Sequence, residues 1–446
     1  MRAAKFVANP VPILDGNLKT YGPTYQFHIG GLQPGLVTIE PKVIQHVLQK
    51  NHRNYRKSAI QTGILAHYVG CGLLTSDGPY WLRQRRLIQP GFHRERLAAI
   101  FTHMNTEVDL YIRRLKETIK EQPTINLSRD MHRLAFRIIA KALFSKALSE
   151  ENLALLSNQI TELQSYIIRE IRQPFLRWWF QLSGQRNRYE KLAHDTKSII
   201  RELINERIHT PEKEDDLLQM LLDARYADTG EEMSAEQVLD ESLILFVAGH
   251  ETAANALSWT FYLLAQHEDR CAALQRESDA IFNDQIPSFS MLPRLSYATQ
   301  VIEEAMRLYP PAWVIDRVAL EDDEVSGYHI AKNTLMILFV YGAHRNPKFW
   351  TSPDAFDPTR FSHENKGGIE PFTYFPFGGG PRMCIGNNFA MMEMQLIVSR
   401  LSHHFNFELV NKSDPGLMPM ITLRSSSDIY FKVQPRRDHV VQDPFI

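Results

Sequence analysis

Residues 235–268 read AEQVLDESLILFVAGHETAANALSWTFYLLAQHE, a helical pattern that is apolar on nearly every face. Such a helix is either the centre of a large core or a membrane span. His250, Glu251 and Thr252 fall at its middle, where charge in lipid is expensive. The run over 236–266 is therefore expected to be a buried central helix. Its polar groups then need partners or a task.

The rest of the chain has to supply the walls around that helix. Apolar residues recur at helical spacing over 152–171 and 189–208, predicting two amphipathic helices. PTYQFHI (23–29) and GLVTIEP (35–41) alternate like strands around a Gly-rich turn, and SGYHIAKNTLMILFVYGAHRNP (326–347) reads as a strand pair. Residues 418–435 alternate again. The fold class expected is mainly α with small β-sheets contributed by both ends. No repeat, low-complexity tract or Gly/Ser linker divides the chain, so 1–446 is read as a single domain.

Charge and cysteine usage exclude several functions. A formal net charge of -1 gives no global attraction to nucleic acid. Cys71, Cys271 and Cys384 lie far apart, with no C-x-x-C and no even set, which argues against a disulfide framework or zinc knuckle. The start, MRAAKFVANPVPILDG, lacks the apolar run of a signal peptide or transmembrane anchor. A soluble, reducing, cytoplasmic setting is expected.

PFGGGPRMCIG (376–386) sets Cys384 among glycines. A lone cysteine is usually a small inert hydrophobe. Here Gly378, Gly379, Gly380 and Gly386 bare the backbone, which suits close approach to a flat cofactor. Backbone N–H groups could stabilise a thiolate, and NNFAMMEMQLIVSRL follows at once as a helix whose N-terminus favours an anion. Arg382 is placed to pair with a carboxylate, and Phe377 to pack beside the sulfur. The set Phe377-x-x-Gly380-x-Arg382-x-Cys384-x-Gly386 resembles the heme-ligand signature of the cytochrome P450 family. Other motifs follow in the family's order, so the resemblance spans nearly the whole chain.

The resemblance implies that Cys384 is the axial ligand of the iron of heme b (iron protoporphyrin IX), with O2 as co-substrate. In EEAMRLYPP, Glu304 and Arg307 sit three apart on one helical turn, a pair that alone is weak evidence. With Arg360 of FDPTRF they resemble the family's buried structural triad behind the heme. AGHETAAN lacks the second histidine of a zinc H-E-x-x-H site, since Ala254 stands there. By resemblance, Ala248, Gly249, Glu251 and Thr252 form the oxygen groove, with Thr252 as hydrogen-bond partner of dioxygen and Glu251 on the proton path. Trp81 and Arg85 of WLRQRRL, and Arg317 of WVIDRVAL, are implied partners of the heme propionates.

The activity implied is monooxygenation of a small apolar, lipid-like substrate such as a fatty acid, carotenoid or terpenoid, by a monomer. Electrons are expected from a ferredoxin or flavodoxin with an NAD(P)H-dependent reductase. Arg83, Arg86, Arg94 and Arg96 offer a basic docking patch for that partner. Phe175, Trp178, Trp179 and Phe180 in QPFLRWWFQL are read either as helix packing or as a greasy entrance to the site. Three other readings remain open at this level: a peroxide-driven peroxygenase or heme isomerase, a non-enzymatic heme sensor, and a purely structural Cys384.

Overall fold

The computed structural model describes residue 6 and residues 8–29, 33–145, 148–283 and 285–436. In chain order its main helices are α1 (Val11–Tyr21), α2 (Gly78–Ile88), α3 (Arg94–Glu121), α4 (Leu127–Phe144), α5 (Glu150–Arg172), α6 (Arg177–Leu182) and α7 (Gln185–His209). They are followed by α8 (Ala235–Gln266), α9 (Glu268–Phe282), α10 (Ser296–Leu308) and α11 (Asn387–His404).

Helix α8 is the expected central element, 32 residues and about 48 Å long. Ser234 opens it with a capping box: its Oγ accepts from Gln237 N at 3.2 Å while Gln237 Oε1 accepts from Ser234 N at 2.8 Å. Side chains are buried from Val238 to Phe246 and again from Ala253 to Leu264. The helix lies along α4, where Phe136 meets Phe246 edge to face at 4.6 Å and His250 at 5.2 Å. It also packs on α10 and α11. Burial on all sides by protein accounts for the apolar circumference. Among the described residues no helix is long and apolar enough to cross a membrane.

Segments far apart in the chain meet in a five-stranded sheet. Its members are β1 (Thr24–Ile29), β2 (Gln33–Thr38), β3 (Tyr55–Arg56), β5 (Ile315–Ala319) and β6 (Leu335–Leu338), in the order β1-β2-β6-β5-β3. Pairing is antiparallel except between β2 and β6. Arg317 is thereby set opposite Met336. A second sheet joins β4 (Thr124–Asn126), β10 (Tyr430–Pro435) and β7 (Phe405–Leu409), and β8 (Leu417–Pro419) pairs with β9 (Leu423–Ser425).

One expectation needs correction. The two strands within 326–347 do not pair with each other. Tyr328–Ile330 turns back onto Asp323–Val325, because Ser326 and Gly327 both take positive φ, 53° and 78°, as a two-residue hairpin turn demands. Leu335–Leu338 instead enters the larger sheet.

The cap of α8 yields a test. Ser234→Ala removes an acceptor for the first turn of the helix on which the core is built. It should lower stability by about 1 kcal/mol, read as a lower urea midpoint at unchanged m.

Candidate active site

The cysteine loop is a chain of backbone bonds. Gly378 N donates to Phe375 O at 2.9 Å, Met383 N to Gly380 O at 3.1 Å, and Cys384 N to Phe377 O at 2.9 Å. Gly378 and Gly380 need their missing Cβ: both have positive φ, 73° and 65°. At Gly380 a Cβ would also stand 2.0 Å from the backbone oxygen of Leu48. Helix α11 begins three residues after Cys384. The Cys384 side chain is accessible, yet surrounding protein pushes its thiol upward, outweighing the Gly386 N–H and the Arg85 guanidinium, which pull it down. Helix terminus and arginine do not by themselves make it a thiolate; a coordinated metal cation would.

Beside the loop lies a cluster of cations in excess of its anions. An Arg382 nitrogen bonds Asp77, while Arg382 Nε and Nη1 are buried without a partner among the described residues. Its guanidinium covers the Trp81 ring at 4.9 Å. Arg317, 7 % exposed, donates to the Asp316 carbonyl at 2.7 Å and forms no carboxylate ion pair among the described residues. Burial and Arg382 lower its pKa to about 10. Lys57 Nζ donates to the carbonyls of Leu73 and Leu74 at 2.7 and 2.9 Å. Burial, Arg317 and Arg382 together push it down to about 7. Asp77 caps α2 and also accepts from Lys57 N. Arg85 stands apart from this group: its Nη1 is taken by the Met383 carbonyl at 2.8 Å.

At its middle, α8 thins out. Ala248 is exposed and Val247, Gly249 and Thr252 are half-buried, on a helix otherwise buried through its middle. Thr252 Oγ1 donates to Ala248 O at 2.9 Å. Glu251 is not brought to Thr252's side. Neighbours on a helix point about 100° apart, and Glu251 is buried in an ion pair with Arg424 Nε at 2.6 Å while accepting from Thr422 Oγ1 at 2.6 Å. Burial opposes its charge, but Arg424 and Thr422 prevail and hold its pKa below the usual carboxylate range.

Behind the loop, Glu304 and Arg307 are fully buried. Arg307 Nε and Nη2 donate to the two Glu304 oxygens at 2.6 and 2.8 Å. The other guanidinium hydrogens go to the carbonyls of His344, Pro353 and Ala355 at 3.0, 2.7 and 3.0 Å. Arg360 Nε lies 3.4 Å from Glu304 Oε1.

The expected docking patch is smaller than the sequence suggested. Arg83 is engaged by Asp228 at 3.3 Å and by the Tyr226 ring at 3.7 Å, and Arg96 by Asp215 at 2.7 Å. Acidic residues brought in from 215–231 neutralise what is basic in the linear chain. Arg86 and Arg94 remain exposed. In α6 and the turn before it, Phe180 is buried under Tyr166, 5.8 Å between rings, whereas Phe175, Trp178 and Trp179 are exposed by 63, 62 and 49 %. Helix packing accounts for Phe180 alone.

A heme needs an accessible sulfur, cations for two carboxylates, and a stretch of small side chains where its ligand can sit. Cys384, the partnerless Arg382 nitrogens with Arg317 and Lys57, and the bared stretch Val247–Gly249 meet those needs, so the residues fit the group. Lys57, Asp77 and His344 were missed by sequence reasoning, since none sits in a recognisable motif. The D-G-P start of a helix was the one readable sign for Asp77.

The family profile described as Cytochrome P450 matches residues 7–432. The chain is 30% identical over 427 residues to Protein LUTEIN DEFICIENT 5, chloroplastic, of Arabidopsis thaliana, covering 90% of this chain and 69% of that one. It is 30% identical over 387 residues to the Cyclooctatin synthase of Streptomyces melanosporofaciens, covering 86% and 83%. The crystal structure of the cytochrome P450DA heme domain superposes with a TM-score of 0.88 at 24% identity over 97% of this chain and 95% of that one, a likeness of fold.

Two tests follow from the site. Gly380→Ala forces the loop off Leu48 and should lower heme bound per chain, measured by absorbance after gel filtration. The second is acid sensitivity. Half-buried His132 and fully buried His344 have pKa values lowered from 6.5 to about 4 and about 3, in both cases chiefly by removal of the ring from solvent. The unfolded chain takes up these protons first, so the stability they contribute is present above about pH 6.5 and lost as pH falls toward 3. Urea unfolding across that range should show it, with His132→Gln flattening the upper part of the slope.

Proposed function

This chain belongs to the cytochrome P450 family, heme b monooxygenases that use O2, and we propose that it hydroxylates an apolar, lipid-like molecule with electrons from a separate redox protein. The carrying observation is the bared stretch of α8, Val247 to Gly249 with Thr252, which offers apolar wall and a single hydroxyl. A pocket so lined selects by shape and greasiness. The names of two relatives point the same way, one to lutein and one to cyclooctatin, both isoprenoid molecules.

Bound at this site, heme supplies the activation of dioxygen, and a thiolate ligand favours O–O cleavage. The chain's residues do the rest. Cys384 would ligate the iron from a loop fixed by Phe377 O and by Arg85 on Met383 O. Arg382, with Lys57, Arg317 and the Trp81 ring, would hold the carboxylates. Gly378 and Gly386 keep the loop free of side chains on the cofactor side. Gly249 lets Ile139 pack close against α8, Ala248 leaves room for a small ligand, and Thr252 Oγ1, released from Ala248 O, would hydrogen-bond that ligand. Protons would pass Glu251 only while its bond to Arg424 is open, because the paired carboxylate is held ionised. Arg86 and Arg94 are the cations left for docking a ferredoxin or flavodoxin served by an NAD(P)H-dependent reductase. Exposed Phe175, Trp178 and Trp179 would border the substrate's entrance.

A peroxide-driven reaction keeps one observation in its favour, namely that Glu251 and Thr252 are not assembled into one relay. The experiment is a titration of the ferric protein with fatty acids, carotenoids and terpenoids, followed by turnover under isotopically heavy dioxygen. A saturable shift toward high spin for one class, and label in its product, are expected. Thr252→Ala should lower product per O2 consumed by roughly 100-fold. Unlabelled product would overturn monooxygenation. Peroxide turnover untouched by Thr252→Ala would favour the second reading.

A further inference from the structure

The buried structural triad makes no hydrogen bond to the cysteine loop among the described residues. Among the described residues, the hydrogen bonds of Glu304, Arg307 and Arg360 end on His344, Ser352, Pro353, Ala355 and Asp357. Two bonds cross from this neighbourhood to the segment leading into Cys384. Tyr374 Oη donates to the Glu303 carbonyl at 3.0 Å, and Phe375 N donates to His344 Nε2 at 2.9 Å.

We propose that His344 is the positioning residue that transmits the order of the Glu304–Arg307 pair to Cys384, by accepting the Phe375 amide on its Nε2. This rests on reading Cys384 as the heme ligand. The path is continuous: Arg307 Nη1 fixes the His344 carbonyl at 3.0 Å, the His344 ring fixes Phe375 N, Phe375 O receives Gly378 N, and Phe377 O receives Cys384 N. His344 is fully buried and Phe375 is 4 % exposed, so an unaccepted Phe375 amide would have no water to turn to. The ring is boxed by Tyr374 at 5.2 Å and by Phe375, edge to face, at 5.3 Å, which sets its plane. Nε2 as acceptor requires the tautomer with hydrogen on Nδ1. Burial and the neighbouring Arg307 keep the ring from taking a second proton, with its pKa down at about 3.

The test compares His344→Leu, close in volume but without an acceptor, with His344→Gln, whose Oε1 can take the place of Nε2. Hydrogen exchange at the Phe375 amide is read together with the fraction of ferrous CO complex showing the thiolate-ligated Soret band. Exchange should accelerate on the order of 10- to 100-fold in His344→Leu and the thiolate fraction should fall, with most of both kept in His344→Gln. Wild-type protection and wild-type thiolate fraction in His344→Leu would overturn the proposal. If His344→Leu does not accumulate, His344→Asn, too short to reach Phe375, takes its place. Loss in Asn with retention in Gln supports the role, and equal behaviour of the two overturns it. Failure of the heme reading would look different: the wild-type protein itself would lack the thiolate band, while Phe375 exchange would still report on the hydrogen bond.

Discussion

Glu304 and Arg307 bury two full charges where neither side chain reaches solvent. Desolvating such a pair costs several kcal/mol per ion, and mutual attraction offsets this only when the remaining hydrogen-bonding capacity is also met. Here it is met. Arg307 has five N–H hydrogens and five acceptors, two on Glu304 and three backbone carbonyls. Those carbonyls belong to His344, Pro353 and Ala355, a stretch with little regular structure of its own. The pair therefore spends its energy on shape: it orders irregular chain that no ladder of backbone bonds could order. A lysine at 307 would offer three donors from one point and could not reproduce the fork.

The cation cluster on the other side of the loop shows the opposite bookkeeping of charge. Among the described residues, Lys57, Arg317 and Arg382 converge with Asp77 as the one carboxylate bonded to the group, and two Arg382 nitrogens remain buried without acceptors. Protein interiors seldom tolerate that. The consequence appears in Lys57, whose amine is pushed down to about 7 by burial first and then by the neighbouring Arg317 and Arg382. Balanced charge behind the loop and unbalanced charge beside it divide the labour: the first fixes the chain, and the second prefers an anionic guest.

Much of this was legible in the sequence where a physical demand leaves a residue-level trace. A helix buried on all sides must be apolar all round, so α8 could be read from residues 236–266. The glycines around Cys384 were legible as a loop needing bare backbone against a flat cofactor, but the neighbour that demands it at Gly380 is the Leu48 carbonyl, which folding supplies. What the sequence hid was produced by folding. Arg83 and Arg96 look like free cations until Asp228 and Asp215 are carried to them. Glu251 and Thr252 look like one unit because they are adjacent, but a helix turns about 100° per residue and gives them different surroundings. His344 carries no signal, because accepting one backbone N–H is a role that any buried histidine with the right neighbour can fill.

Helix α8 separates two kinds of chemistry that would interfere if they shared a face. On one side Glu251 is neutralised by Arg424 and Thr422, residues at the β8–β9 hairpin, so a full negative charge in the core is matched before it can act at a distance. On another side the exposed side chain shrinks to Ala248, and the hydroxyl beside it, Thr252 Oγ1, is already bonded to Ala248 O. An apolar guest on that side meets no unsatisfied charge, and a small polar ligand meets a hydroxyl that must first give up a backbone bond. That exchange is close to even in energy, one hydrogen bond for another. The wall can therefore be dry toward substrate and still responsive to a ligand that brings its own acceptor.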